Sequence, residues 1–140
     1  GMGICSHRSF LTYVACVVKV KVENNQIAIP EIHYAVDCGV VVNEDRVKSQ
    51  FEGGAVYGLS GALKSTISFK QGKTVESNFH NYQLARMPDT PENIYVHLVP
   101  SDEKPTGVGE PPVPPVAPAL CNAIFAATGK RVRELPIKLA

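Results

Sequence analysis

The chain has 140 residues, 44% of them apolar and 19% charged, with a net charge of +1. That balance suits one globular domain with a real core, and it excludes the electrostatic footprint expected for nucleic acid or an anionic membrane. No apolar run reaches the roughly 18–20 residues of a membrane-spanning helix.

The chain reads as a single domain, 1–140, with Gly1 set aside as a tag remnant ahead of Met2. No basic segment followed by an apolar one marks a leader, and the residues do not fix the compartment. Cys5, Cys16, Cys38 and Cys121 show no CxxC spacing, which argues against a zinc knuckle. Two disulfides are possible by number, but Cys16 and Cys121 lie in apolar runs that favour free, buried thiols.

Leu11 to Val22 is β-branched and partly alternating, as a strand should be. Glu23-Asn24-Asn25-Gln26 supplies turn residues before a second strand, Ile27 to Val36, so the pair predicts a hairpin. Pro30 demands an edge position or a bulge. After Asp37-Cys38-Gly39, Asn43 is a good helix N-cap, with Glu44 and Asp45 where the helix dipole favours acids.

Val47, Phe51, Ala55, Leu59 and Leu63 recur every four residues and predict an amphipathic helix over 44–65. Gly53, Gly54, Gly58 and Gly61 interrupt it, each at a cost of about 0.5–1 kcal/mol against alanine. Either another backbone packs closely there or a ligand lies against the helix. A short hairpin is expected around Lys70-Gln71-Gly72-Lys73 and a strand over Asn93–Val99. Val116 to Thr128 reads as a helix, with Pro118 in its first turn and Gly129 as its cap. The fold class expected is α+β: a mostly antiparallel sheet with two helices packed on it, the glycine-rich helix and the Glu110 loop at one edge.

Between Pro100 and that last helix, Gly107-Val108-Gly109-Glu110 runs into Pro111-Pro112-Val113-Pro114-Pro115. One carboxylate stands between flexible glycines and rigid prolines, a way to fix one acid in one place. A proline-rich linker is the competing account. His7, His33, His80 and His97 share no ligand-like spacing and read as ordinary hydrogen-bonding residues.

Taken in order, Asp37-Cys38-Gly39, Asn43, Gln50-Phe51-Glu52-Gly53-Gly54, Gly58-Leu59 and Gly107-Val108-Gly109-Glu110-Pro111 resemble the molybdopterin-binding large subunit of the xanthine dehydrogenase/aldehyde oxidase family. Ser77-Asn78-Phe79-His80-Asn81-Tyr82, Arg86-Met87 and the tail from Pro114 to Pro136 resemble its isoquinoline 1-oxidoreductase beta-subunit branch. The likeness runs from about Gly3 to Leu139, yet family large subunits are several times longer, so this would be their C-terminal part.

The resemblance implies an oxidoreductase that hydroxylates an N-heteroaromatic or aldehyde carbon with oxygen from water, using a molybdenum–molybdopterin cofactor. It makes Glu110 the general base, with a pKa raised by burial. It gives Gln50, Gly53, Gly54, Thr106, Gly107, Val108 and Gly109 to the cofactor, with backbone N–H groups around Thr106 and Gly107 holding its edge. A polar residue on a solvated helix face is the plain alternative for Gln50. No direct protein ligand to the metal is assigned. The implied partners are the upstream part of the large subunit, an iron–sulfur subunit and possible further copies of the chain. The isolated chain is expected to be inactive. The other reading is a truncated or split-gene domain that acts only in assembly with itself or a partner.

Overall fold

In the computed structural model, which describes residues 1–139, the sheet is built first. Strands β1 (Met2–Ser9), β2 (Thr12–Glu23) and β3 (Gln26–Asp37) precede helix α1 (Glu44–Leu63). Two-residue strands β4 (Phe69–Lys70) and β5 (Lys73–Thr74), a 3-10 turn at Met87–Asp89, β6 (Asn93–Leu98) and helix α2 (Val116–Thr128) follow. The main sheet has the order β1-β2-β3-β6, antiparallel except where β6 runs parallel to β3. This is the α+β fold that the sequence led us to expect.

Period-two patterning decides which face is buried. Val14, Cys16 and Val18 of β2 and Ile32, Tyr34 and Val36 of β3 all point to one face and are at most 3% exposed. The helices cover that face. Phe51, Ala55 and Leu59 come from α1, and Leu120 and Ile124 from α2, all fully buried. Each large side chain so placed contributes about 1.5–3 kcal/mol. Tyr13, Lys19 and Ala35 face the other way and stay exposed.

Asn43 caps α1 as expected, its side chain accepting from the Arg46 N–H at 3.0 Å. Gly129 ends α2 in the left-handed region, φ 72°. The β2–β3 turn places Asn24 and Asn25 at φ 50° and 61°, which asparagine tolerates. At Pro30 the bulge alternative holds. The β2–β3 register slips between Lys19 and Lys21, while β3 is an interior strand rather than an edge. The proline is accommodated because β6 begins only opposite Glu31, so its missing N–H breaks no ladder bond to β6.

Two expectations need correction. No strand was expected before Leu11, yet β1 occupies the sheet edge there. Its inward positions Gly3, Cys5, His7 and Ser9 are small or polar, so the apolar alternation that signals a strand is missing. Gly3 lies where α2 crosses: a Cβ there would collide with the backbone of Ala119 and Ala123. Gly1, set aside as lying outside the fold, exchanges two hydrogen bonds with Val20, at 2.8 and 2.9 Å.

Candidate functional site

The end of β3 at Asp37-Cys38-Gly39 starts the site. Asp37 Oδ1 accepts from the Gly39 N–H at 3.2 Å, which turns the chain. Gly39 has φ 71°, and a Cβ there would collide with the Lys104 carbonyl, so glycine is required twice over. The turn carries the Glu103–Thr106 segment: Val40 N–H donates to the Glu103 carbonyl and Thr106 N–H to the Cys38 carbonyl, both at 2.9 Å.

Between this segment and the first two turns of α1 lies a cavity of about 280 Å³, lined by Val40, Arg46, Val47, Gln50, Thr106 and Val108 among others. Three residues singled out from the sequence, Gln50, Thr106 and Val108, therefore line one cavity. Arg46 joins them and was missed. Its spacing from Gln50, one helical turn, puts both on one face of α1 and was the available signal. The lining combines an apolar wall with the Arg46 guanidinium, the Thr106 hydroxyl and the carboxamides of Asn43 and Gln50, a donor set suited to an organic group carrying anionic or carbonyl oxygens.

Glu110 does not line that cavity. It lies two residues beyond Val108 and two before Pro112, whose ring packs against Gly54. Its side chain is exposed, so the burial expected of it is absent within this chain. Its carbonyl accepts from the Val113 N–H at 3.0 Å, closing a turn.

The prolines after it are packed rather than linker-like. Pro111, Pro112 and Pro115 are buried, and the fully buried Tyr34 hydroxyl donates to the Pro112 carbonyl at 3.0 Å. Tyr34 also meets Phe51 edge to face, centroids 5.1 Å apart. Burial raises the Tyr34 hydroxyl far above its ordinary value, so it serves as a neutral donor.

The glycines of α1 divide by face. A Cβ on Gly54 would collide with Pro112, and one on Gly58 would lie 2.9 Å from the Val113 carbonyl. Close packing accounts for both, and Gly54 is buried and has no open face for a ligand. Gly53 and Gly61 have nothing within 4 Å and face open space. The backbone donors also need correction. The Thr106 and Gly107 N–H groups are already bonded to the Cys38 and Phe10 carbonyls, at 2.9 and 3.2 Å. The N–H groups of Val108 and Gly109 make no hydrogen bond among the described residues, and they are the donors left available.

Elsewhere, the scattered histidines are not all apart. His33 and His97 lie side by side on adjacent strands, Nδ1 to Nε2 at 3.3 Å, and Glu31 Oε2 is 3.2 Å from His33 Nε2. Among the described residues no three His, Cys, Asp or Glu side chains cluster as a metal site. All four cysteines are free, Cys16 and Cys38 buried and Cys5 and Cys121 half-buried. Among the described residues no helix is long and apolar enough to cross a membrane.

Comparison with known proteins shows the family. A family model, the molybdopterin cofactor-binding domain, matches residues 6–91. The chain is 38% identical to the membrane-bound aldehyde dehydrogenase [pyrroloquinoline-quinone] of Gluconacetobacter polyoxogenes over 95% of its length, and covers 17% of that protein. It is 39% identical to isoquinoline 1-oxidoreductase subunit beta of Brevundimonas diminuta over 83% of its length, and covers 15% of that protein. The aldehyde oxidoreductase of Desulfovibrio desulfuricans superposes with a TM-score of 0.76 at 27% identity, over 89% of this chain and 14% of that one. The chain thus spans under a fifth of the length of these relatives, and it belongs to the molybdopterin cofactor-binding domain family of the molybdenum hydroxylases.

Proposed function

We propose that the chain forms one wall of a molybdenum–pterin site and supplies Glu110 as the general base of a hydroxylase acting on an N-heteroaromatic or aldehyde carbon. The observation that carries this reading is the convergence of Gln50, Thr106 and Val108 on one cavity, with Glu110 held two residues further on. When bound, the cofactor supplies the redox chemistry of inserting oxygen from water into a carbon–hydrogen bond.

The residues have separate tasks. The Gln50 carboxamide both donates and accepts hydrogen bonds. The Arg46 guanidinium suits an anionic edge, and the free Val108 and Gly109 N–H groups suit carbonyl or oxyanion oxygens. Gly53, open on its outer side, lets a flat group lie against α1. The Glu110 carboxylate takes the proton lost as oxygen attacks carbon, a role that contributes about 10²–10⁴-fold in rate.

On this chain the wall is one-sided. Glu110 is exposed, and apolar residues such as Val42 and Met87 are 88% and 83% exposed. Enclosure falls to the upstream part of the large subunit, and electrons leave through an iron–sulfur subunit. The isolated chain is therefore inactive and prone to associate. That same exposed surface favours a second reading, a domain that only assembles with itself or a partner.

Metal analysis and absorbance separate these readings, on the chain alone and mixed with an upstream large-subunit fragment. The proposal expects molybdenum and pterin in the mixture and neither on the chain alone. Stoichiometric molybdenum on the isolated chain would contradict the one-sided wall. A metal-free complex would favour the assembly reading, and bound pyrroloquinoline quinone would overturn the cofactor.

A further inference from the structure

Glu110 works as a base only if its loop is held, and the structure shows an unexpected hold. Thr12, the first residue of β2, is fully buried although polar. Its Oγ1 lies 2.6 Å from Thr106 Oγ1 and 2.6 Å from the Gly107 carbonyl oxygen. A hydroxyl has one proton to give. One assignment satisfies both contacts: Thr12 O–H donates to the Gly107 carbonyl, and Thr106 O–H donates to Thr12 Oγ1.

The same turn holds Gly107 from its other side. The Phe10 carbonyl accepts from the Gly107 N–H at 3.2 Å. A Cβ on Gly107 would lie 2.8 Å from Phe10 Cβ, so glycine permits the approach. Phe10 and Leu11 form the tip at φ 49° and 66°, a conformation that bulky residues avoid. Both are exposed, at 60% and 66%, so burial of their side chains does not account for it. Backbone strain of this kind persists where surrounding contacts over-determine it.

We propose that the Ser9–Thr12 turn clamps the Glu110 loop and that Thr12 is its positioning residue; this rests on the reading of Glu110 as the base. The loop has two fixed points. Upstream, Thr106 and Gly107 are tied to Thr12, Phe10 and Cys38. Downstream, Pro112 is tied to Tyr34 and seated on Gly54. Val108, Gly109 and the acid hang between them. Thr106 and Val108 also line the cavity with Gln50, so the clamp registers the acid against the cavity wall.

Thr12→Val keeps the size and removes the O–H, whereas Thr12→Ser keeps the O–H. Hydrogen exchange on the chain itself reads the clamp directly. The Thr106 and Gly107 amides should exchange about 10-fold faster in T12V, and near the parent rate in T12S. The catalytic arm uses a complete family enzyme whose C-terminal segment is replaced by this chain. There T12V should lower kcat about 10–100-fold, with KM and molybdenum content unchanged, and T12S should recover most of it.

Unchanged exchange and kcat in T12V would overturn the clamp, as would equal impairment of T12V and T12S. If T12V fails to fold, Thr106→Val removes the donor into Thr12 and should speed Gly107 exchange, and no change there overturns the clamp. A fully active Glu110→Gln enzyme would remove the base reading alone, leaving the exchange result to decide the clamp.

Discussion

The two halves of the Gly107–Ala119 segment are held in opposite ways. In the proline half the backbone sits in the core: Pro111, Pro112 and Pro115 are buried, with Tyr34 and Gly54 fitted to Pro112. In the glycine half the Gly107 backbone is tied by hydrogen bonds to Thr12 and Phe10, and the acid that follows is exposed. Rigidity and accessibility are thus separated along thirteen consecutive positions, 107–119. A base must be both fixed and reachable, and this division provides each from a different stretch of chain.

Disturbing the packing of the proline half should cost stability, and replacing the exposed acid of the glycine half should not. The largest effect is expected at Gly54, where Gly54→Val forces Pro112 away and costs about 2–3 kcal/mol in chemical denaturation. Its neighbour reverses the sign. Gly53 faces open space, and Gly53→Ala should stabilise by about 0.5–1 kcal/mol. Equal effects at the two positions would break the comparison.

Tyr34→Phe leaves the Pro112 carbonyl without its donor and should cost about 1–2 kcal/mol. Beneath it, burial pushes the Cys16 thiol up to about 12 from 9.0. The unfolded chain releases that proton first as pH rises, so folding binds more protons above pH 9. The stabilisation is full below pH 9 and is lost as pH rises from there toward 12, with a slope approaching about 1.4 kcal/mol per pH unit. Denaturation midpoints for the parent and Cys16→Ala should diverge in slope over that range, and alkylation of native Cys16 at pH 8 should be negligible. Smallest of all, Glu110→Gln should change folding stability by no more than about 0.5 kcal/mol, because the side chain is exposed.

Local features were legible in the sequence and long-range ones were not. The four-residue recurrence of Val47, Phe51, Ala55 and Leu59 located α1, and Asn43, Asn24-Asn25 and Gly129 marked its cap, a turn and a helix end. β1 escaped because α2 demands small residues such as Gly3 beneath it, which erases the apolar alternation. Thr12 escaped because its partner Thr106 is 94 positions away, and nothing local marks a buried threonine. His33 and His97 became neighbours only through the parallel β3–β6 pairing. The glycines of α1 looked alike in sequence, and only the packing of Pro112 and Val113 separated Gly54 and Gly58 from Gly53 and Gly61. The ordered motifs around Gln50 and Glu110 carried the family, whereas the exposure of Glu110 follows from the path of its loop, which no local motif states.

The central claim is that Glu110 is the proton acceptor of a site this chain only half encloses. The most direct measurement is turnover of Glu110→Gln in a complete enzyme carrying this segment, with molybdenum content determined on the same sample. Full loading with turnover reduced about 10²–10⁴-fold is the result expected, and full loading with unchanged turnover would contradict the account.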